Sequence, residues 1–165
     1  MTDFHILYRA YGAVVRRFAL FLCGNEALAD DITSETFVRA WQARGKIREA
    51  TVKAYLFTIA RNLYRDHLRG HKPMHELDES VRDPGIDLES RAAQKAEVQA
   101  VMQMLQQLPE IDRTALLMRV QEEMSYEEIA VALQLPLATV KVKIHRARLR
   151  LIKARAAMQE VQPCS

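Results

Sequence analysis

Apolar residues recur every three or four positions along most of the chain, which is the spacing of one face of an α-helix. No useful stretch shows the strict alternation of apolar and polar residues that marks a half-buried strand. The pattern predicts an all-α fold with two small helical domains, residues 1–70 and 91–165. A flexible acidic linker, residues 71–90, is predicted to join them.

The linker is predicted from its breaks in helical pattern and from its acidic groups, which lack periodic apolar partners. The segment contains glycine and proline, and both of these residues interrupt helices. The breaking residues are Gly70, Pro73, Pro84 and Gly85.

The last 45 residues or so carry the clearest local signals. Ser125 is followed by Glu128 in the capping-box arrangement, in which each side chain satisfies an otherwise unpaired amide. Pro136 suits the first turn of a helix that follows a tight turn. A short helix, a tight turn and a longer basic helix are the layout of a helix-turn-helix. The inward stripe of the longer helix is predicted to be Val140, Ile144, Ala147, Leu151, Ala154 and Met158.

Composition adds little until charge is divided along the chain. With 165 residues, 49% hydrophobic and 27% charged, the chain is typical of a soluble globular protein, and its net charge is only +3. Residues 39–72, however, hold nine basic and two acidic groups, and residues 137–165 hold seven and one. Two basic blocks indicate two contacts with a polyanion such as nucleic acid. A pair of solvated helix faces is the alternative.

The cysteines and the apolar runs bear on the compartment. Cys23 lies in an apolar helical pattern and Cys164 next to the end, so no disulfide framework is expected and Cys23 is interpreted as a buried free thiol. No run approaches the roughly 18 apolar residues that a membrane span needs, and the first residues do not resemble a secretory signal. We therefore expect a cytoplasmic protein without direct membrane insertion.

No constellation typical of an enzyme is found. The sequence has no glycine-rich phosphate loop, and Asp30–Asp31 is the only paired carboxylate that resembles a metal-binding site. The histidines lack a cysteine or carboxylate frame with metal-ligand spacing. They are His5, His67, His71, His75 and His145. We expect no catalytic residue, no metal and no cofactor.

Three groups of motifs, taken in order, carry a resemblance that covers nearly the whole chain. They are residues 29–41 (ADDITSETFVRAW); residues 55–62 (YLFTIARN) with Asp66 and Arg69; and Leu108-Pro109, Arg113, residues 125–130 (SYEEIA), 139–141 (TVK) and 145–148 (HRAR). On these motifs the chain resembles the extracytoplasmic-function (ECF) sigma factors, the smallest members of the main bacterial (sigma-70) family of RNA polymerase sigma factors.

The resemblance implies a transcription initiation factor without enzymatic activity. Such a protein binds core RNA polymerase, recognises the −35 and −10 promoter elements and promotes promoter melting. Its partners would be core polymerase and promoter DNA, both duplex and melted strand, with an anti-sigma factor as a possible further partner. The acidic linker would lie in a basic polymerase channel, or it is an ordinary flexible spacer.

The resemblance also assigns site residues. Polymerase binding falls on Asp31, Ser34 and Glu35; contact with the melted −10 strand on Lys46, Arg48, Arg61, Asn62, Arg65 and Arg69; and −35 recognition on Thr139, Lys141, Val142, Lys143, His145, Arg146 and Arg148. Four positions depart from the common pattern. Ser34 stands where the family often has Gln, Gln134 and Ala138 where it often has Gly, and Val142 where it often has a small hydroxyl residue.

The residue chemistry agrees with these assignments. Arg61, Arg65 and Arg69 repeat every four residues, which predicts a cationic ridge on one helix, and phosphates favour such donors. Lys and Arg on the first turns of a helix in the major groove donate to guanine edges, whereas Val142 is limited to apolar contact, for instance with a thymine methyl. For each set the alternative is a solvated surface.

Two rival interpretations remain open. A helix-turn-helix regulator that does not dock on polymerase explains residues 125–157 but leaves residues 29–69 unexplained. A nucleic-acid-processing enzyme with a helical DNA-binding tail needs clustered carboxylates for metal ions. Binding to core polymerase separates the sigma-factor interpretation from both.

Overall fold

The computed structural model describes residues 3–48, 52–70 and 88–161, and within these ranges the regular structure is entirely helical. The predicted all-α class is confirmed. The helices are α1 (Phe4–Cys23), α2 (Glu26–Gln42), α3 (Val52–Leu68), α4 (Leu88–Gln106), α5 (Glu110–Val120), α6 (Tyr126–Leu133) and α7 (Leu137–Val161), with a 3-10 helix (Arg44–Lys46) after α2.

The first three helices pack around aromatic side chains. Phe18 of α1, Phe37 of α2 and Phe57 of α3 are fully buried, and the rings of Phe18 and Phe57 lie 4.6 Å apart between centroids. The chain reverses between α1 and α2 at Gly24, whose φ of 71° suits a residue without a Cβ. Asn25 then accepts a hydrogen bond from the Leu28 amide (2.9 Å) and caps α2.

Helices α5 and α6 pack against the predicted apolar stripe of α7. Val140, Ile144 and Ala147 are buried, but Leu151 and Ala154 are only half-buried and Met158 is 44% exposed. The prediction that Met158 faces inward is therefore wrong. Helix α7 has 25 residues, whereas α5 has 11 and α6 has 8, so the end of α7 extends beyond the helices that cover its first half.

The two groups of helices also pack against each other. Helix α1 contacts α4 and α5, and α3 contacts α6. The buried apolar side chains of both groups belong to one cluster. We call the arrangement in which α4, α5 and α6 lie on α1 and α3 the closed arrangement. Most of the predicted acidic linker, residues 71–87, lies outside the described residues.

The capping box predicted at the start of α6 is present. The Ser125 hydroxyl accepts from the Glu128 amide (3.0 Å), and the Glu128 carboxylate accepts from the Ser125 amide (3.0 Å). These hydrogen bonds to Ser125 hold the pKa of the Glu128 carboxyl below its ordinary value. The cap positions α6 at the entry to the helix-turn-helix.

Replacing Ser125 with Ala is expected to lower the free energy of unfolding by about 1 kcal/mol at neutral pH, because the first-turn amides lose an acceptor. Since the folded pKa of Glu128 is depressed, its contribution is present above the unfolded pKa and is lost as pH falls through the folded pKa. The charge is tested with Glu128→Gln: urea unfolding measured at several pH values should show wild type and Glu128→Gln converging at acid pH, whereas most of the gap to Ser125→Ala should persist, because the amide–hydroxyl hydrogen bond lost there has no titrating group. A gap between wild type and Glu128→Gln that does not change with pH would contradict this role for the Glu128 charge.

Candidate nucleic-acid interface

The turn between α6 and α7 sets the direction in which α7 leaves the domain. Gln134 adopts a left-handed backbone (φ 55°), and the Leu135 amide donates to the Ala130 carbonyl (3.0 Å) to close the turn. Sequence reasoning noted Gln134 in place of a frequent glycine. The structure retains the left-handed turn at this position, at a steric cost of about 1 kcal/mol for a residue with a Cβ.

Most of the predicted −35 residues lie together on the solvent-facing side of α7. We call this set the recognition face; it consists of Lys141, Val142, His145, Arg146 and Arg148, all of them exposed. Val142 is 52% exposed and borders a shallow depression that Ala138, Thr139 and Arg146 also line. This face combines an exposed apolar side chain with flanking hydrogen-bond donors, and both kinds of group can contact base edges in a major groove.

Two other predicted −35 residues are placed differently. Thr139 is half-buried, and Lys143 extends toward α5, where its Nζ lies 3.4 Å from the Asp112 carboxylate. Asp112 is 3% exposed, so Lys143 compensates a buried charge between two helices. In this structure Lys143 therefore stabilises the packing of α5 on α7.

Sequence reasoning missed an aromatic support behind the recognition face. The Arg119 guanidinium lies 4.5 Å from the ring centroid of Tyr126, and Lys141 Nζ lies 5.9 Å from the same ring. Arg119 also donates to the Met124 carbonyl (3.0 Å). Such cation–π contacts are worth about 0.5–1 kcal/mol at exposed sites and restrict where the cations sit.

The predicted cationic ridge of α3 divides into a covered and an uncovered part. Arg61 is only 7% exposed, and its guanidinium donates to both carboxylate oxygens of Glu110 (2.8 and 3.3 Å). Asn62 and Arg69 are exposed and Arg65 is half-buried; Arg69 lies 4.0 Å from Asp66. We call Arg61, Asn62, Arg65 and Arg69 the strand face of α3. Lys46 and Arg48, the remaining predicted −10 residues, are exposed after α2.

Another carboxylate, that of Glu122 in the α5–α6 loop, also lies against the first domain. Glu122, 2% exposed, accepts two hydrogen bonds from Arg17 (3.1 and 3.2 Å) and lies 3.7 Å from Lys53 Nζ. Lys53 also donates to the Glu122 backbone carbonyl (2.8 Å). The sequence contains no signal for this cluster, because Arg17 and Glu122 are 105 residues apart.

Arg113 forms hydrogen bonds with groups of both domains. It is 5% exposed and donates to the Leu105 and Leu108 carbonyls (2.9 and 3.1 Å), to the Leu22 carbonyl (2.6 Å) and to the Tyr64 hydroxyl (2.8 Å). The carbonyls lie where α1 and α4 end, where a cation is favourable for the helix dipoles. The resemblance singled out Arg113 without indicating these partners.

The predicted polymerase-binding residues share one side of α2. Ser34 is exposed, while Asp31 and Glu35 are half-buried. The Glu35 carboxylate accepts from Arg39 (3.0 Å), a pair spaced one helical turn apart. Val38, 45% exposed, adds an apolar side chain to this surface. We call Asp31, Ser34, Glu35 and Val38 the docking face.

Other chemistry is not found in the described part of the chain. No group of three or more histidine, cysteine or acidic side chains there is placed to hold a metal ion. Burial raises the pKa of the Cys23 thiol to about 11, which makes it a poor nucleophile. None of the described helices is long and apolar enough to cross a bilayer.

Comparison with known proteins places both domains in one family. The model for sigma-70 region 2 matches residues 7–73, and the model for sigma-70 region 4 matches residues 98–151. The RNA polymerase sigma-H factor of Pseudomonas aeruginosa is 38% identical over 141 residues, which are 76% of this chain and 72% of the relative. The ECF RNA polymerase sigma factor SigM of Bacillus subtilis is 30% identical over 147 residues, 88% of this chain and 90% of the relative.

A solved structure agrees at the level of the fold. The sigma factor RpoE of Bartonella quintana, in complex with the anti-sigma factor NepR, superposes with a TM-score of 0.72 at 23% identity, covering 94% of this chain and 98% of that one. Together with the two family models and the similarity to curated relatives, the motifs and the helical architecture establish that this chain belongs to the sigma-70 family and, within it, to the ECF RNA polymerase sigma factors.

Proposed function

We propose that this sigma factor binds core RNA polymerase through the docking face of α2, reads the −35 element with the recognition face of α7, and holds the melted −10 strand with the strand face of α3. The observation that carries the proposal is the recognition face, where exposed cations flank Val142 on a helix-turn-helix. Binding energy spread over both domains would select the promoter and favour the melted state.

The docking face of α2 supports the proposal that the protein also binds a partner other than DNA. DNA is a polyanion, so the Asp31 and Glu35 carboxylates of α2 are unsuited to contact it, whereas a basic protein surface complements them. A regulator that binds duplex alone leaves this surface unexplained. The factor would act where the polymerase is, in the cytoplasm. No catalytic step is assigned to the chain.

An anti-sigma factor is a further proposed partner. The support is the solved neighbour, whose structure holds the sigma factor together with NepR. A partner of this kind would compete with polymerase if it covers the docking face.

The double variant Asp31→Arg, Glu35→Arg is expected to weaken binding to core RNA polymerase at least about tenfold, because like charges across an interface cost several kcal/mol. Affinity is measured with labelled full-length chain and purified core enzyme, and circular dichroism checks that helicity is kept. The matched control is Glu123→Arg, Glu127→Arg, which makes the same change in net charge at two exposed positions of the other domain. Equal affinity of wild type and the α2 variant would exclude this docking face.

A further inference from the structure

The depression on α7 lies between two rows of side chains in the first turns of the helix. Ala138, Val142 and Arg146 form one row, spaced four residues apart, and Thr139 and Lys143 form the row beside it. Because the Ala138 side chain ends at its Cβ, the space beside the Val142 methyl groups is left open along the first row. This part of the helix surface is therefore concave and open to solvent.

The side chains that line the depression are largely apolar. Ala138 and Val142 are both exposed, and neither side chain donates or accepts a hydrogen bond. The Lys143 ammonium lies against the buried Asp112 carboxylate (3.4 Å), so this lysine presents mainly its aliphatic stem to the depression. Thr139, which is half-buried, contributes a hydroxyl. The depression therefore favours an apolar group over a polar one.

The charge around the depression indicates which partner brings that apolar group. The other residues of the recognition face are Lys141, His145, Arg146 and Arg148, all of them exposed. No acidic residue occurs in the sequence from 137 to 158. An apolar site within so basic a surface complements an apolar group carried by a polyanion. Ala138 and Val142 are exposed in the closed arrangement, so the site is accessible without movement of the domains.

The edges of the base pairs offer one apolar group in the major groove, which is the C5-methyl group of thymine. The other groups there are hydrogen-bond donors and acceptors, and an apolar side chain placed against them leaves them without a partner. In a helix-turn-helix, the first turns of the second helix contact the base edges. Ala138 and Val142 are the second and sixth residues of α7. The thymine methyl group is therefore the part of a base edge that suits the depression.

We propose that Ala138, Val142 and the stem of Lys143 form a binding site for the C5-methyl group of a pyrimidine, through which Val142 selects thymine at one position of the −35 element. The inference rests on the role of the recognition face given under the proposed function and adds the base that this site selects. 5-Methylcytosine carries the same methyl group, so the site is expected to favour it over cytosine. Arg146 lies one turn beyond Val142, about 6 Å along the helix, so a guanine that it contacts is expected within about two base pairs of the thymine.

The test uses holoenzyme reconstituted from the full chain and purified core RNA polymerase. Duplexes that it binds are selected from random-sequence DNA, and a selected duplex is resynthesised with deoxyuridine in place of one thymidine at a time. Uracil keeps the O4 acceptor and the base pairing of thymine and lacks only the methyl group. A second set of duplexes carries cytosine or 5-methylcytosine at the same positions. Fluorescence anisotropy measures the affinity of each labelled duplex.

Removing the methyl group is expected to weaken binding about fourfold at one thymidine, the effect of burying one carbon group. 5-Methylcytosine should bind better than cytosine at that position by a similar factor. Val142→Ala should bring the ratio of thymine to uracil affinity there to about one, because the variant lacks the methyl groups that contact the base. Ala138→Leu, which fills the depression, should lower the same ratio.

Leu149→Ala is the matched control, because Leu149 is a comparably exposed apolar residue of α7 outside the depression. It should keep the wild-type ratio. Both Val142 and Leu149 are exposed, so their replacement should cost little stability, and circular dichroism checks that helicity is kept. The proposal is overturned if no thymidine is sensitive to loss of its methyl group, or if Val142→Ala keeps the wild-type ratio.

Failure of the proposed function gives a different pattern. If Lys141→Ala and Arg146→Ala leave both the affinity and the selected sequence unaltered, α7 does not read the groove, and the methyl site fails with it. If these variants lower affinity while Val142→Ala keeps the wild-type ratio of thymine to uracil affinity, −35 recognition by α7 stands and the methyl site alone fails.

Discussion

Replacing Arg113 with Met is expected to lower the free energy of unfolding by about 3–5 kcal/mol, because each buried acceptor left without a hydrogen bond costs about 1–3 kcal/mol. Methionine fills much of the same volume but leaves the Leu105, Leu108 and Leu22 carbonyls and the Tyr64 hydroxyl without this donor. Two of these acceptors keep another donor: Gln106 Nε2 donates to the Leu22 carbonyl (3.0 Å), and the Leu108 amide donates to the Leu105 carbonyl (3.0 Å). Each charge-assisted hydrogen bond contributes about 1.5–3 kcal/mol, which outweighs the desolvation recovered by removing the charge.

Urea unfolding followed by circular dichroism measures this loss, provided that the slope with denaturant stays the same. Arg119→Met is the matched control, because Arg119 is half-buried, donates to one carbonyl and rests on an aromatic ring. Its expected loss is about 1–2 kcal/mol. Arg113→Lys should fall between the two, since an ammonium cannot reach four acceptors in the planar fork geometry. A loss below about 1 kcal/mol for Arg113→Met would contradict the role of Arg113.

Replacing Arg146 with Ala is expected to reduce promoter affinity about 10- to 100-fold and to relax preference at one base position. The basis is its exposure on the recognition face beside Val142 and Ala138, at the edge of the depression on α7. Lys141→Ala should also reduce affinity, and at least one of the two should change base preference.

The measurement is affinity for a panel of promoter variants with single-base changes at several salt concentrations. A lost base contact acts at one position, whereas a lost phosphate contact weakens all sequences alike and lowers the salt slope by about one. Arg148→Ala, further from the start of α7, should follow the phosphate pattern. Lys143→Ala is the control: it strands buried Asp112, so it should lower stability with little change in base preference. If neither Lys141→Ala nor Arg146→Ala alters affinity or preference, α7 does not read the groove.

Local features of this protein were predictable because they depend on neighbouring residues. Helical spacing predicts the helices, and Ser125 with Glu128 predicts a capping box that the structure contains. The solvent side of α7 follows from the stripe of Val140, Ile144 and Ala147, since residues off that stripe face outward. The family resemblance rests on the same local motifs, which the family models match in both domains.

The extent of burial depended on tertiary contacts. Met158 continues the apolar period of α7, yet it is exposed because α5 and α6 are too short to cover the end of that helix. Arg61 has the same spacing as Arg65 and Arg69, which predicts one ridge, but Glu110 covers the first of them from 49 residues away. Helical period indicates which residues share a face and carries no information about what packs on it.

The amino-acid sequence by itself determined the helices, the helix-turn-helix, the family and which residues share a face, because hydrogen bonds and caps within a few residues decide these. Only the tertiary structure decided how the faces are used. The contacts of Arg113 with Leu22 and Tyr64, the two cations on Glu122 and the Arg61–Glu110 pair join residues 49 to 105 positions apart. The sequence identifies a charged residue. Whether its side chain is solvated, paired or buried depends on which distant helix end or carboxylate the fold brings within about 3 Å.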